Sequence, residues 1–254
     1  MKRRATYLLA PLTAVVILLG AWELYVDLGG TDPDVLPPPH AVAAALYDYR
    51  GDLWSNLLVT AEEVVLGILA GAVVALGLAL VIHLSGWLRR ALYPLLVASQ
   101  AVPIPLIAAL LVIWLGFGLG PKLAIIGLIS FFPVVVTTLA ALDQVDPDLI
   151  KLMRTFGAGR GQTFRYVELP SALPGLFTGT KLAAVLSVIG AVFAEWSGAN
   201  SGLGNLFRIA DTQIQTAPEA YAAVVVLALL ALLLFALFSA AERWILPWAY
   251  HPPR

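Results

Sequence analysis

The sequence predicts an all-α membrane protein whose six spanning helices form one polytopic bundle. Of its 254 residues, 60% are hydrophobic and 12% are charged, and the mean hydropathy of +0.89 is far above that of water-soluble domains. Six apolar stretches reach the roughly 20 residues that a helix needs to cross a bilayer. They lie at about 7–26, 58–84, 92–115, 122–142, 173–193 and 220–246. Stretches of this length are too long and continuous for barrel strands.

The distribution of cations predicts that both termini are cytoplasmic. Lys and Arg near the ends of spans remain mainly on the cytoplasmic side. Eleven of the 15 lie in the N-terminal segment, the loops after the second and fourth spans, and the C-terminal tail; the opposite loops hold only Arg50, Lys122 and Arg208. We therefore expect a multi-pass protein of the cell membrane, with residues 1–254 forming a single transmembrane domain. The first stretch is longer than the apolar region of a signal peptide and is expected to stay as an anchor.

The composition also argues against several functions. The net charge is −1 with no sustained basic stretch, which argues against a nucleic-acid partner. The sequence has no cysteine, and its histidines (His40, His83 and His251) are too far apart for a local metal motif. No catalytic residue and no metal ligand is predicted. A phosphate-binding Gly-x-x-x-x-Gly-Lys-Ser/Thr loop is also missing, so we expect this chain to bind no nucleotide.

Two features inside the predicted spans concern packing and polarity. Gly67, Gly71 and Ala75 recur every four residues in the second span, which predicts close approach of another helix. The third span contains Gln100, Pro103 and Pro105, and its two prolines are expected to kink the helix. The third span is then either a bent packing helix, or a helix whose kink lies beside a translocation path with Gln100 facing inward. The charged groups Glu23, Glu62, Glu63 and Lys181 are interpreted as side chains near helix ends that reach water.

The longest cytoplasmic loop, about 143–172, has the pattern of a docking helix. Asp146 is a plausible N-cap with Pro147 at the first helical position, and Gly157 stands where a left-handed C-terminal residue is expected. Between them Leu149, Leu152, Met153 and Phe156 share one face. A helix that lies on lipid usually carries many Lys and Arg, whereas this one has Lys151 and Arg154 alone. Docking into a groove of a soluble partner is therefore favoured.

This loop resembles the coupling loop of binding-protein-dependent ABC importer permeases. The family pattern is Glu-Ala-Ala, three residues, Gly, nine residues and Ile-x-Leu-Pro, and the sequence matches it at Gly157 and at Val167, Leu169 and Pro170. It departs from it at residues 151–153, where Lys-Leu-Met replaces Glu-Ala-Ala. Further matches are Pro-Ile-Pro-Leu at 103–106, Trp-Leu-Gly-Phe-Gly at 114–118, Phe-Pro at 132–133, and Ala-Glu at 194–195 ahead of Gly-Leu-Gly at 202–204. Their order resembles the nitrate, sulfonate and taurine branch.

The stretch 195–204, with Gln-Ile-Gln-Thr at 213–216 and Glu-Arg at 242–243, is most similar to permeases for hydroxymethylpyrimidine-type thiamine precursors or riboflavin. Such a solute is the expected substrate, with sulfonate, taurine or nitrate as the alternative. The resemblance implies a type I importer fold and a pair of permeases, most simply a homodimer. It also implies cytoplasmic ATPase subunits that bind ATP and Mg, and an extracytoplasmic solute-binding protein.

The resemblance implies that the ATPase-coupling residues are Leu149, Lys151, Leu152, Met153, Arg154, Phe156, Gly157, Ala158, Phe164, Tyr166, Leu169 and Pro170. Because polar groups in spans tend to face a cavity, the candidates for the path are Ser99, Gln100, Pro103, Thr137, Thr138, Ser187, Glu195 and Trp196. Each of the polar ones could equally form a packing hydrogen bond. Glu195 and Trp196 form either an outer gate or an interfacial pair.

Two other functional classes fit the sequence less well than an importer does. An ion-coupled secondary transporter needs an ionisable group near the bilayer midplane, and the middles of the predicted spans show none. A membrane-embedded enzyme needs a catalytic constellation, but His83 has no carboxylate or serine at useful spacing.

Overall fold

The computed structural model describes residues 2–211 and 217–250, with side chains described for 12–210 and 217–250. Every regular element in those ranges is helical, and they contain no strand. The helices are α1 (Lys2–Asp27), α2 (Pro39–Asp48), α3 (Arg50–Leu84), α4 (Gly86–Ser99), α5 (Ile104–Leu115), α6 (Leu119–Asp143), α7 (Pro147–Thr155), α8 (Arg160–Thr163), a π-helical turn (Phe164–Glu168), α9 (Leu169–Trp196), α10 (Leu203–Asp211), α11 (Ala217–Ile245) and α12 (Pro247–Tyr250).

Four helical stretches are long and apolar enough to cross a membrane: α3, α6, the run from Arg160 to Trp196 that includes α9, and α11. A fifth span results if α4 and α5 are taken together. These agree with five of the six predicted spans, although α3 begins at Arg50 rather than at Leu58. The first predicted span lies within α1, of which the side chains are described from Leu12 onward.

The third predicted span, 92–115, is not one kinked helix. It consists of α4 and α5, which meet at 99° across a break of four residues. Pro103 is the N-cap of α5, and Pro105 lies in its first turn. The two prolines within three residues lack the backbone N–H groups that a continuous helix would need as hydrogen-bond donors. Each proline also disfavours the α conformation in the residue before it. The helix therefore stops at Ser99 and restarts at Ile104 instead of bending.

One compact unit comprises residues 1–58 and 201–227. Within it the rings of Trp22 and Tyr221 lie 6.1 Å apart, and the Tyr221 hydroxyl donates to the carbonyl of Val35 at 3.2 Å. The side chain of His40 pairs with that of Glu23. The Asn56 side chain accepts a hydrogen bond from the Gly202 amide at 2.7 Å. Specific polar and aromatic contacts thus connect α1, α3, α11 and the segments beside them.

The other unit comprises residues 59–200 and 228–254. At its centre α6 packs against α9 and α3, with Val134, Val135 and Leu139 of α6 buried beside Ala75 and Ala79 of α3. The close approach predicted for the small-residue series of α3 is confirmed. A Cβ atom on Gly71 would lie 2.6 Å from the carbonyl oxygen of Gly127. Glycine is needed here because two backbones meet.

Two buried ion pairs also connect helices of this unit. Glu63 of α3 lies 2.5 Å from Lys122 of α6, and Lys181 of α9 lies 2.7 Å from Glu242 of α11. The interpretation of Glu63 and Lys181 as helix-end groups that reach water was wrong. Each is instead paired with an opposite charge from another helix, which is how a membrane bundle accommodates ionised side chains.

Candidate coupling segment and translocation path

The coupling segment, residues 147–168, begins with a helix whose two ends are fixed by local signals. The Asp146 side chain accepts a hydrogen bond from the Asp148 amide at 2.8 Å, which caps α7, and Pro147 occupies its first turn. At the other end Gly157 has φ +77°, with Gly157 N donating to Arg154 O and Ala158 N to Met153 O, both at 3.0 Å. This pair of bonds is a Schellman motif, which needs a left-handed residue. The predicted start and stop of the helix are therefore confirmed.

Among the described residues, nothing covers the apolar face of α7. Leu149, Leu152 and Phe156 are exposed, Phe156 by 78%, and no residue of this fully described helix is buried. Met153 is half-buried, while Lys151 and Arg154 are exposed and Lys151 pairs with Asp148 at 2.7 Å. An exposed row of large apolar side chains beside solvated charges is typical of a surface that another protein covers.

The second half of the coupling segment continues without interruption into α9. Ala158 and Phe164 are half-buried, and Tyr166 is exposed. Residues 164–168 form a π-helical turn, after which α9 starts at Leu169 with Pro170 in its first turn. Because the helical path is unbroken from Arg160 to Trp196, a displacement of the segment must act on α9.

The coupling segment also contacts the end of α3, and no sequence pattern predicted this. His83 Nε2 lies 2.9 Å from Glu168 Oε2, and its ring is 6.4 Å from that of Phe164. The Arg160 guanidinium donates to the carbonyl of Leu84 at 2.8 Å. The partners are 76 and 85 positions apart, so local spacing carries no signal for them. The sequence shows no carboxylate at useful spacing from His83, but in the structure Glu168 supplies one.

Three of the predicted path residues are buried between helices. Ser187 is hydrogen-bonded to Ser130 at 2.7 Å, and Glu195 accepts from the Thr60 hydroxyl at 2.7 Å. The Thr138 hydroxyl is buried with no hydrogen-bond partner among the described residues. Their side chains thus lie at helix contacts and are almost completely buried within the described part of the chain. Trp196 is 42% exposed and packs edge-on against Phe193, with ring centres 5.8 Å apart.

The remaining candidates for the path, apart from Trp196, lie at the α4–α5 break or in a groove between α6 and α9. Ser99, Gln100 and Pro103 are exposed at the α4–α5 break, where the Ser99 hydroxyl donates to Leu96 O at 2.7 Å. Thr137 lines a groove of about 460 Å³ between α6 and α9, together with Gln144, Ser171 and Thr178. The hydroxyls of Thr137 and Thr178 donate to the carbonyls of Pro133 and Pro174 at 2.8 and 2.9 Å. The lining has no ionisable residue.

The sequence did not single out Gln144, Ser171 and Thr178. Residues 144 and 171 were assigned to a loop, and a threonine in a span does not reveal which face it occupies. Thr178 could have been found from the pair of Pro-x-x-x-Thr sequences at 133–137 and 174–178, in which a hydroxyl stands four residues after a helical proline, whereas Gln144 and Ser171 lie in no such pattern.

Comparison with known proteins agrees with this architecture. The family described as "Binding-protein-dependent transport system inner membrane component" matches residues 64–249. The formylaminopyrimidine transport permease ThiX of Halalkalibacterium halodurans is 34% identical over 97% of this chain and 98% of its own. The riboflavin permease RibX of Chloroflexus aurantiacus is 36% identical over 92% of this chain and 88% of its own.

Among solved structures, the inward-facing MetNI methionine ABC transporter superposes with a TM-score of 0.69 at 19% identity, over 78% of this chain and 98% of that chain. That likeness supports the helical fold found here. The family match spans more than half of the chain, and two relatives above 30% identity align over nearly all of it. The chain therefore belongs to the inner membrane components of binding-protein-dependent transport systems, and it is the permease subunit of an ABC importer rather than an enzyme.

Proposed function

We propose that this permease acts as a homodimer in the cell membrane and imports a small heterocyclic solute that an extracytoplasmic binding protein delivers. Two cytoplasmic ATPase subunits, which hold ATP and Mg, drive the cycle through the coupling segments. The docking of the ATPases through these segments rests on one observation, the exposed apolar face of α7, which is ended by the Schellman turn at Gly157. ATP-driven movement of the paired segments rotates the attached helices between inward-facing and outward-facing states.

The proposed topology has six spans in a single permease domain, 1–254, with α1 as the first span and the α4–α5 pair as the third. Leu12, Val15 and Ile17 of α1 are among its exposed apolar side chains, as expected of a helix that faces lipid. Six spans put both termini on the same side as the coupling segment. The excess of Lys and Arg on that side makes it cytoplasmic.

The α4–α5 break supports a translocation path at this position. Non-helical backbone at membrane depth is tolerated where it is buried in protein or lines water, and lipid offers it no hydrogen bonds. Residues 99–103 are exposed in the single chain. In the dimer, either the second copy or a water-filled path must cover them. Ser99, Gln100 and Pro103, with the groove around Thr137 and Thr178, are therefore the proposed lining of the path, while Thr138, Ser187 and Glu195 support the helices that form it.

The groove and two relatives together favour an uncharged heterocycle as the solute. An anion that leaves water needs a cation or several strong donors, and the groove offers hydroxyl and amide groups without an ionisable side chain. ThiX and RibX carry the names of a formylaminopyrimidine and of riboflavin. We infer that a pyrimidine-type thiamine precursor or riboflavin is the substrate, ahead of sulfonate, taurine or nitrate.

The docking assignment is tested by Phe156→Asp with a matched control. Phe156 and Phe117 are both 78% exposed, but Phe117 lies in the turn between α5 and α6, on the proposed outer side. A tagged permease is purified in detergent with its ATPase. We expect Phe156→Asp to lose the ATPase and Phe117→Asp to keep it. An unchanged yield of ATPase with Phe156→Asp would contradict docking through this face.

The path is tested by thiol labelling, because the chain has no cysteine of its own. Thr178→Cys is expected to react with a membrane-impermeant thiol reagent in inside-out vesicles and to be protected when the importer turns over its solute. Leu229→Cys, at an exposed apolar position of α11, is the control for a lipid-facing site and is expected to stay unlabelled. Equal labelling of both positions would contradict the proposed lining.

The substrate is tested by uptake into proteoliposomes that contain permease, ATPase and binding protein. Formylaminopyrimidine, hydroxymethylpyrimidine and riboflavin are compared with taurine, an alkanesulfonate and nitrate. Concentrative ATP-dependent uptake of one of the first three is expected. Transport of only a sulfonate, taurine or nitrate would refute the inference from the groove.

A further inference from the structure

We propose that the coupling segment drives α3 directly, through a clamp that joins its C-terminal half, and the end of α6 shortly before it, to the α3–α4 turn, so that His83 and Glu168 are positioning residues for transport. The clamp consists of His83 with Glu168, Arg160 with the Leu84 carbonyl, and Arg89 with Asp143. It rests on the proposed function, because it requires that the coupling segment receive the motion of an ATPase.

The first half of the clamp lies in the C-terminal half of the coupling segment. His83 and Glu168 meet at 2.9 Å, and their side chains are only 20% and 16% exposed. The Arg160 guanidinium donates to Leu84 O at 2.8 Å. The last four carbonyls of a helix lack intrahelical partners, so Arg160 satisfies one of the groups that α3 leaves open. A charged donor at a helix C-terminus also interacts favourably with the helix dipole.

The second half of the clamp lies immediately before the coupling segment. Arg89 of α4 binds Asp143, the last residue of α6, with both guanidinium nitrogens, one of them at 2.6 Å. Such a bidentate pair fixes orientation as well as distance. Between His83 and Arg89 the Ser85 hydroxyl caps α4 by accepting from the Leu88 amide. The short α3–α4 turn is therefore held on one side by the coupling segment and on the other by the last residue of α6.

This arrangement gives the coupling segment a second connection to the membrane helices. The first is covalent and runs through the π-helical turn into α9. Single π-turns interrupt the regular bonding of a helix, so this link alone holds the angle between the segment and α9 less firmly than a continuous α-helix does. The contact between Glu168, at the end of that turn, and α3 restrains the place where the link is least regular.

A displacement of α3 at His83 is transmitted to the opposite end of the unit. The helix is continuous from His83 to Thr60, a distance of about 35 Å at 1.5 Å per residue. There Thr60 donates to Glu195 of α9 at 2.7 Å, and Glu63 pairs with Lys122 of α6 at 2.5 Å. A helix that is fixed by side-chain contacts at both ends moves its neighbours as a rigid element. The clamp thus couples the ATPase-facing end of α3 to buried polar contacts near the outer end.

The clamp predicts a loss of coupling without a loss of assembly. His83→Ala and Glu168→Ala are purified with ATPase and binding protein in proteoliposomes, and uptake per ATP hydrolysed is measured. We expect each variant to retain the ATPase and to lose about five-fold in uptake per ATP, with the double variant no worse than either single one. Glu168→Gln, which keeps an acceptor for His83, is expected to retain most of the uptake. Arg90→Ala, at an exposed arginine bonded to Gly86 of its own helix, is the control.

A second experiment separates a transmitting contact from a merely stabilising one. The His83→Cys, Glu168→Cys double variant has no other thiol, because the natural chain has no cysteine. Its uptake per ATP is expected to be low, and to rise again when a short bifunctional thiol reagent joins the two positions. If bridging abolishes uptake, the coupling segment and α3 must separate during the cycle, and the clamp is wrong.

Other results would also overturn the proposal. Uptake per ATP at the wild-type value in both alanine variants shows that α3 does not need the clamp. Loss of the ATPase from purified His83→Ala would assign the residue to docking rather than to transmission. Failure of the proposed function itself is recognised separately, because Phe156→Asp would then retain the ATPase whatever the clamp variants do.

Discussion

Replacing Lys122 by Met isolates a buried charge and provides a direct test of the bundle's electrostatics. In the wild type the Lys122 ammonium lies 2.5 Å from Glu63 Oε1, and the two side chains are 13% and 4% exposed. Glu63 Oε2 has no hydrogen-bond partner among the described residues. Without Lys122 the carboxylate therefore loses its one identified countercharge inside an apolar bundle.

The expected cost is large because removal of one member of a buried pair leaves the desolvation of the other uncompensated. Such changes cost about 3–5 kcal/mol. For a chain of this size that corresponds to a fall in Tm of about 6–20 °C. The assay is thermal unfolding of detergent-purified protein, followed by intrinsic fluorescence and by the fraction that stays monodisperse after heating.

The double variant Glu63→Gln, Lys122→Met tests whether the loss of stability comes from the unpaired charge of Glu63. With both charges gone, only packing and one amide remain, and the stability is expected to return to near that of the wild type. The exposed pair of Asp148 and Lys151 is the matched control, for which Lys151→Met is expected to cost less than about 1 kcal/mol. The reasoning is refuted if Lys122→Met is as stable as the wild type, or if the double variant is no more stable than Lys122→Met.

Three further predictions concern packing and backbone geometry. Gly71→Leu is expected to lower the Tm and the yield of monodisperse protein, because its Cβ would press on the backbone of Gly127, whereas Gly77→Leu on the same helix meets open space and should behave like the wild type. Thr138→Val removes a buried hydroxyl that has no hydrogen-bond partner among the described residues, and it is expected to leave the Tm unchanged or raise it; a clear fall would reveal a hidden hydrogen bond. Gly157→Pro cannot adopt φ +77°, so purified protein should insert into membranes but lose ATPase binding, and normal ATP-dependent uptake would argue against the docking turn.

The features that the sequence predicts well are those with local causes. The ends of α7 follow from Asp146, Pro147 and Gly157, each of which acts on its own neighbouring backbone groups. The long spans follow from hydropathy, since a spanning helix must be apolar along its whole length. The meeting of two backbones at Gly71 is likewise predicted by small residues on one face of one helix.

The features that it does not predict depend on partners far away in the chain. Lys181 resembles a helix-end residue in a hydropathy profile, and only the position of Glu242 on a different helix explains why it can lie within α9. His83 gains Glu168 in the same way. Thr137 and Thr138 are adjacent and chemically identical, yet one lines a groove and the other is buried. Which face of a helix is covered is decided by tertiary packing.

The break between α4 and α5 has a consequence for how the chain enters the membrane during synthesis. The two helices have 14 and 12 residues and so are about 21 and 18 Å long, shorter than the hydrocarbon layer of about 30 Å. Neither can partition into lipid as an independent hydrophobic segment. The two half-length helices must therefore wait at the translocon until α6, against which α5 packs, has been made. Truncating the nascent chain before and after α6 would show whether biogenesis of this region depends on a helix that is synthesised later.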